Sequence, residues 1–158
     1  MRPTLVPVPR AARPTAVPTV PAHSMPHRSP TELLVLARRG LAEAATPGAD
    51  GLRYATAHLA ALRAAAAVLA ARARPVPGRR GKLTNVWVLL AMVAPEMSEW
   101  ASYFATSAVK RAAAEAGIPR VVTTREADDL VRAAESFILT VEEALQLTPP
   151  FLVQEMVA

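Results

Sequence analysis

One histidine, His58, stands in the part of this chain able to fold; the other two, His23 and His27, sit among prolines near the start, and there is no cysteine. Those residue types bound the chemistry within reach. A zinc site built from Cys and His, or a cysteine nucleophile, is excluded, and any imidazole acid–base step must pass through His58. Ser98, Ser102, Ser107 and Ser136 have no histidine that sequence places beside them, and there is no glycine-rich phosphate loop, Walker signature or nucleophile elbow. Glu126, Asp128 and Asp129 crowd one helix start. Acids there suit the helix dipole and adjacent positions point in different directions, so neither a metal nor a catalytic carboxylate pair is expected. No cofactor is expected either.

A second set of chemically able residues is the basic run Arg72, Arg74, Arg79, Arg80 and Lys82. Guanidinium groups pair with phosphates in two-pronged fashion and position nucleic-acid backbones. Interleaved aromatics, which single strands would stack on, are missing. The plainer alternative is a solvated linker in which Arg72 and Arg74 suit the end of a helix.

Charge divides the chain further. The net charge of +5 is made of a tail, residues 1–30, with four Arg and no acid, the basic run at 72–82, and an acidic remainder at 83–158 with five basic and ten acidic residues. Basic character therefore belongs to a tail and a loop, which weakens the inference from high pI to a nucleic-acid-binding body. Eight of fifteen prolines lie in residues 1–30. Prolines cannot feed hydrogen-bond ladders and this stretch has little to bury, so residues 1–29 are expected to be a disordered Pro/Arg-rich tail. Prolines also interrupt every apolar run a signal peptide would need. The most apolar stretch, Leu52 to Ala71, carries Arg53, His58 and Arg63, too costly for a lone lipid-facing helix. A cytoplasmic protein without membrane contact is expected.

Helix signals occupy the rest. Ser29, Pro30 and Glu32 read as a cap, a first-turn proline and a capping-box acid for a helix to about Ala45. Asp50 is expected to cap a second helix to about Arg74, with Leu52, Ala55, Leu59, Leu62, Ala66, Leu69 and Ala73 as its inward stripe. That helix has alanine on its other side too, which suits the centre of a bundle. Thr84 or Asn85 caps a third, through Val93. Pro95 either begins a fourth or kinks a continuous one. The fourth runs to about Ala116 with Met97, Trp100, Phe104 and Ala108 inward, and Gly117 and Pro119 end it. Thr123 and Glu126 box the last, to about Leu147, with Ala127, Val131, Ala134, Ile138, Val141 and Leu145 inward. Pro149 and Pro150 stop it, and the extension 149–158 is apolar enough to dock on the bundle or on a second subunit. The expectation is all-α: an antiparallel bundle of about five helices over residues 30–148.

The order of three segments resembles the HEPN superfamily, small helical bundles linked to nucleotides and RNA, and within it a short actinobacterial subgroup. They are Arg53-Tyr-Ala-Thr-Ala-His58-Leu-Ala-Ala-Leu-Arg63-Ala64, Val86-Trp87-Val88-Leu89-Leu90, and Thr124-Arg-Glu126-Ala-Asp128-Asp129-Leu-Val131. Many members are metal-independent ribonucleases with an Arg-(four to six residues)-His motif toward the last helices. Between Lys110 and Arg125 this chain has Arg111 and Arg120 but no histidine. The matching spacing in the body is Arg53 to His58, and on a helix two residues five apart are separated by roughly 140°. The bland expectation makes Arg53 a solvated first-turn residue and His58 a partly buried polar side chain with a backbone or carboxylate partner. The resemblance thus implies a degenerate, non-catalytic HEPN module that self-associates or binds a protein encoded nearby, RNA or a nucleotide. The alternatives are a ribonuclease in which Arg53 and His58 meet the same pair across a two-fold axis, and a purely structural partner in a cytoplasmic assembly.

Overall fold

A computed structural model describes residues 17–77 and 85–147. Arg79, Arg80 and Lys82 lie outside the described residues, as do residues 1–16 of the tail and the extension 149–158.

Local signals set most of the helix starts. α1 spans Pro30–Ala44, and the Glu32 N–H donates to Ser29 Oγ at 3.2 Å. α3 spans Val86–Val93, with the Val88 N–H donating to Asn85 Oδ1 at 2.9 Å. α5 spans Thr124–Leu145, where the Glu126 N–H donates to Thr123 Oγ1 at 3.1 Å. Each bond satisfies one of the amide groups that a helix start leaves open. Pro95 opens a short 3-10 turn, Pro95–Met97, ahead of α4, Ser98–Glu115. The chain therefore breaks there instead of continuing α3 through a kink. Gly117, at φ 77°, turns the chain out of α4.

α2 spans Asp50–Arg72 and packs against all four other helices. Its start corrects the sequence expectation: Asp50 lies inside the helix, Ala49 occupies the cap position without a side-chain bond, and Asp50 Oδ2 accepts from Thr124 Oγ1 at 2.8 Å. By length and composition α2 is apolar enough to cross a membrane, yet more than half of that stretch is buried within the bundle. The inward stripe is also corrected. Of the seven residues expected inside, only Leu69 is buried; Leu52 and Leu59 are 64% and 39% exposed, and Ala55, Leu62, Ala66 and Ala73 are half-buried. The buried face is instead Tyr54, Ala57, His58, Ala60, Ala61, Ala64, Ala65, Ala67 and Val68. With alanine on every side, the pattern of leucines does not decide which side is covered; the closeness of the neighbours does. At Gly40 of α1, a Cβ would sit 3.3 Å from Ala60 Cβ, an approach that only small residues permit.

The structure also reaches into the proline-rich tail. Thr19–Pro21 forms β1, paired parallel with β2, Arg74–Val76, in the register Thr19 to Arg74, Val20 to Pro75 and Pro21 to Val76. The Arg74 N–H donates to Pro18 O at 2.8 Å. Prolines are tolerated because so short a ladder asks few residues to donate, and Val20, fully buried, joins the core. A 3-10 turn, Ala22–Ser24, follows and carries His23.

Candidate functional site

His58 is fully buried. It lies on the face of α2 that meets α3 and α4, edge-on to Trp87 with ring centroids 5.6 Å apart and to Phe104 at 6.0 Å. Trp87 and Phe104 are themselves stacked at 5.1 Å, and Phe137 of α5 closes the group at 5.3 Å from Phe104. Both ring nitrogens are engaged. Nε2 lies 3.0 Å from the Phe104 carbonyl oxygen, which can only accept, so Nε2 carries the proton and donates. That leaves Nδ1 unprotonated and facing Arg111 Nη1 at 3.5 Å.

The electrostatics agree with a neutral ring. Burial pushes the imidazole below its ordinary value of 6.5, and the Arg111 charge lowers it further; the bond to Phe104 and the charge of Glu115 pull the other way. Arg111 is held loosely. Among the described residues its Nε has no hydrogen-bond partner, and it lies 3.7 Å from Glu115 Oε1.

Arg53 is placed elsewhere. Its side chain is only 14% exposed, which corrects the expectation of a solvated first-turn residue. The Nε–H donates to Ala44 O at 3.1 Å, an open carbonyl at the end of α1, and Nη2 donates to Asp128 Oδ1 at 2.6 Å. Nη1 lies 3.6 Å from Asp50 Oδ1. Arg53 thus ties the end of α1 to the starts of α2 and α5, and it shares no hydrogen-bond partner with His58. The arginine that the structure does bring to His58 is Arg111, from a different helix.

Of the basic run, Arg72 is paired with Glu96, whose carboxyl this bond holds below its usual value. Arg74 is exposed on β2. Among the described residues no three His, Cys, Asp or Glu side chains gather as a metal site would require. A shallow depression of about 170 Å³ between α3 and α4 is lined by Trp87, Val88, Ala91, Ala101, Ser102 and Ala105, with no charged or titratable group in it.

Sequence reasoning missed three features. Arg111 could be matched to His58 only by knowing the register of α2 against α4. The other two are Arg38 of α1 and Glu142 of α5, a buried ion pair with side chains 14% and 6% exposed. A signal did exist for Glu142: it follows Ile138, an inward residue, by four positions on the same helix.

A family model described as SAV_6107-like HEPN matches residues 42–142, from the last turn of α1 to near the end of α5. No curated protein matches the chain, and no solved structure does.

Proposed function

The chain belongs to the SAV_6107-like HEPN family, and from that premise we propose that it is a non-catalytic recognition and oligomerisation module of the cytoplasm. The observation that carries this is the state of His58. A general acid or base must reach a substrate proton within about 3 Å, whereas this imidazole is fully buried, donates to Phe104 O and turns its other nitrogen to Arg111. Arg53, the other half of the alternative pair, is committed to Ala44 O and Asp128. What remains for function is surface. The partners that fit are a second copy of the chain, a protein encoded nearby, and RNA or a nucleotide reached through the basic segment from Arg72 to Lys82.

The full chain incubated with mixed RNA tests this in one assay. No fragments are expected beyond a protein-free control. If the basic segment holds RNA, replacing Arg79, Arg80 and Lys82 with Ser should abolish retention in a gel-shift lane. Fragments that disappear in Arg53→Ala would overturn the non-catalytic proposal, and retention unchanged by the triple replacement would remove that segment as the contact.

A further inference from the structure

Two aromatic rings on α4 form a notch that the function above leaves unused. Trp100 and Tyr103 stand edge to face, with ring centroids 6.5 Å apart and planes at 89°. Tyr103 is 42% exposed and Trp100 half-buried, while the rings behind them, Phe104 and Phe137, are fully covered. Trp100 stacks on Phe104 at 6.0 Å and meets Phe137 at 5.7 Å, so the notch has a packed aromatic floor. Perpendicular aromatic rings open to solvent suit a proline ring, and a proline-rich segment arrives already extended, with little freedom left to lose on docking. Acid marks one end of the notch. Glu99 lies one turn before Tyr103 on the same face of α4, and Glu96 precedes it. Both are exposed, although Arg72 already pairs with Glu96. On α5, Asp129 is bonded to Arg132, so that pair adds no net charge.

We propose that the notch holds this chain's own Pro/Arg-rich tail, residues 1–16, with Pro7 between Trp100 and Tyr103, and with Arg10 and Arg13 on Glu99 and Glu96. Three observations choose this occupant. The first is direction. β1 runs parallel to β2 with Thr19 opposite Arg74, so the chain ahead of Val17 leaves the ladder toward Arg72, the residue paired with Glu96. The tail therefore enters at the acidic end of the notch. The second is spacing. A polyproline helix repeats every three residues, which sets Pro7, Arg10 and Arg13 on one side. Read back from Val17 they come in the order Arg13, Arg10, Pro7, and α4 with its preceding turn offers Glu96, Glu99 and then the notch. One polyproline turn advances about 9 Å and one α-helical turn about 5 Å, a difference that the long arginine side chain absorbs. The third is charge: residues 1–16 carry Arg2, Arg10 and Arg13 with no acid, whereas residues 83–158 carry five basic and ten acidic residues. Reach is ample, since the tail can extend about 50 Å and α4 is about 27 Å long.

The test is nuclear magnetic resonance of the full chain with a nitroxide attached at Val8→Cys, a unique attachment point because the chain has no cysteine of its own. The Trp100 indole N–H and the Tyr103 ring signals should be lost to broadening, while the Thr46 amide, in the loop between α1 and α2 at the other end of the bundle, should keep its intensity. Adding Arg10→Glu and Arg13→Glu to the labelled chain should bring the Trp100 signal back with the thermal melt unchanged. Full Trp100 intensity in the labelled chain overturns the proposal and leaves the notch to a segment of another protein. Broadening that survives the two Glu replacements overturns it as well. A mixture of isotope-labelled chains lacking the nitroxide with nitroxide chains lacking the isotope separates the remaining occupant. Trp100 should stay sharp in that mixture; its loss there would mean that the tail of a second copy fills the notch, which overturns docking within one chain. These signals do not depend on whether the chain cuts RNA, so failure of the non-catalytic function and failure of this proposal are read separately.

Discussion

Truncating His58 to alanine is expected to lower the free energy of unfolding by about 3 kcal/mol, read as an earlier midpoint in urea at an unchanged slope. The ring fills space between Trp87 and Phe104 and donates to the Phe104 carbonyl. Its removal leaves a cavity among aromatics and takes from Arg111 the acceptor facing its Nη1, when its Nε has none among the described residues. The same residue should write a signature on pH. Because burial and Arg111 hold the folded-state imidazole below 6.5, the unfolded chain binds that proton more readily than the folded one. The contribution is therefore complete above about pH 6.5 and declines as pH falls, by at most about 1.4 kcal/mol per pH unit, until the folded-state value is passed. Glu96 and Glu126, held by Arg72 and Lys110, lie below the ordinary carboxylate value of 4.5, so what they add is lost only under more acid conditions. Thermal melts between about pH 5 and 6.5 should shift in the parent chain and stay flat in His58→Ala. A slope that survives the replacement would show that another group produces it.

Glu142→Ala is the second substitution of large effect. Glu142 and Arg38 join α5 to α1 where both side chains are nearly covered, and among the described residues Arg38 Nε and Glu142 Oε2 have no hydrogen-bond partner. Removing the carboxylate leaves a guanidinium buried without compensation, which costs about 3 kcal/mol or more. Replacing both residues, Arg38→Met with Glu142→Leu, removes the uncompensated charge together with its partner. The double variant is expected to recover most of the loss in a urea titration, and could exceed the parent. A double variant as unstable as Glu142→Ala would mean that packing, not charge, is what the pair contributes at this contact.

What could be read from the sequence divides along physical lines. The starts of α1, α3 and α5 were legible because each cap is settled within three residues, as Ser29 with Glu32 and Thr123 with Glu126 demonstrate. The all-α bundle followed from helical periodicity and the loop punctuation, and family membership from the order of three segments that the matched region, 42–142, contains. The covered side of α2 was not legible, since leucine spacing and alanine packing point to opposite faces and only the neighbours decide between them. Nor was the β1–β2 pair, whose two strands are separated by two helices and whose prolines argue against a ladder. His58 was singled out as the residue that any imidazole chemistry would need. Its partner Arg111 was not, because the pairing depends on how α4 is threaded past α2, a long-range register that no local pattern encodes.

The account turns on a buried, neutral imidazole, and nuclear magnetic resonance of the His58 ring through a pH titration observes that imidazole directly. The expected result is a ring protonated at Nε2 alone, with a titration midpoint displaced below 6.5 and ring shifts that added RNA leaves unchanged. A ring that takes up its second proton at or above the ordinary value, and whose signals move when RNA is added, would contradict it and return His58 to the list of catalytic groups.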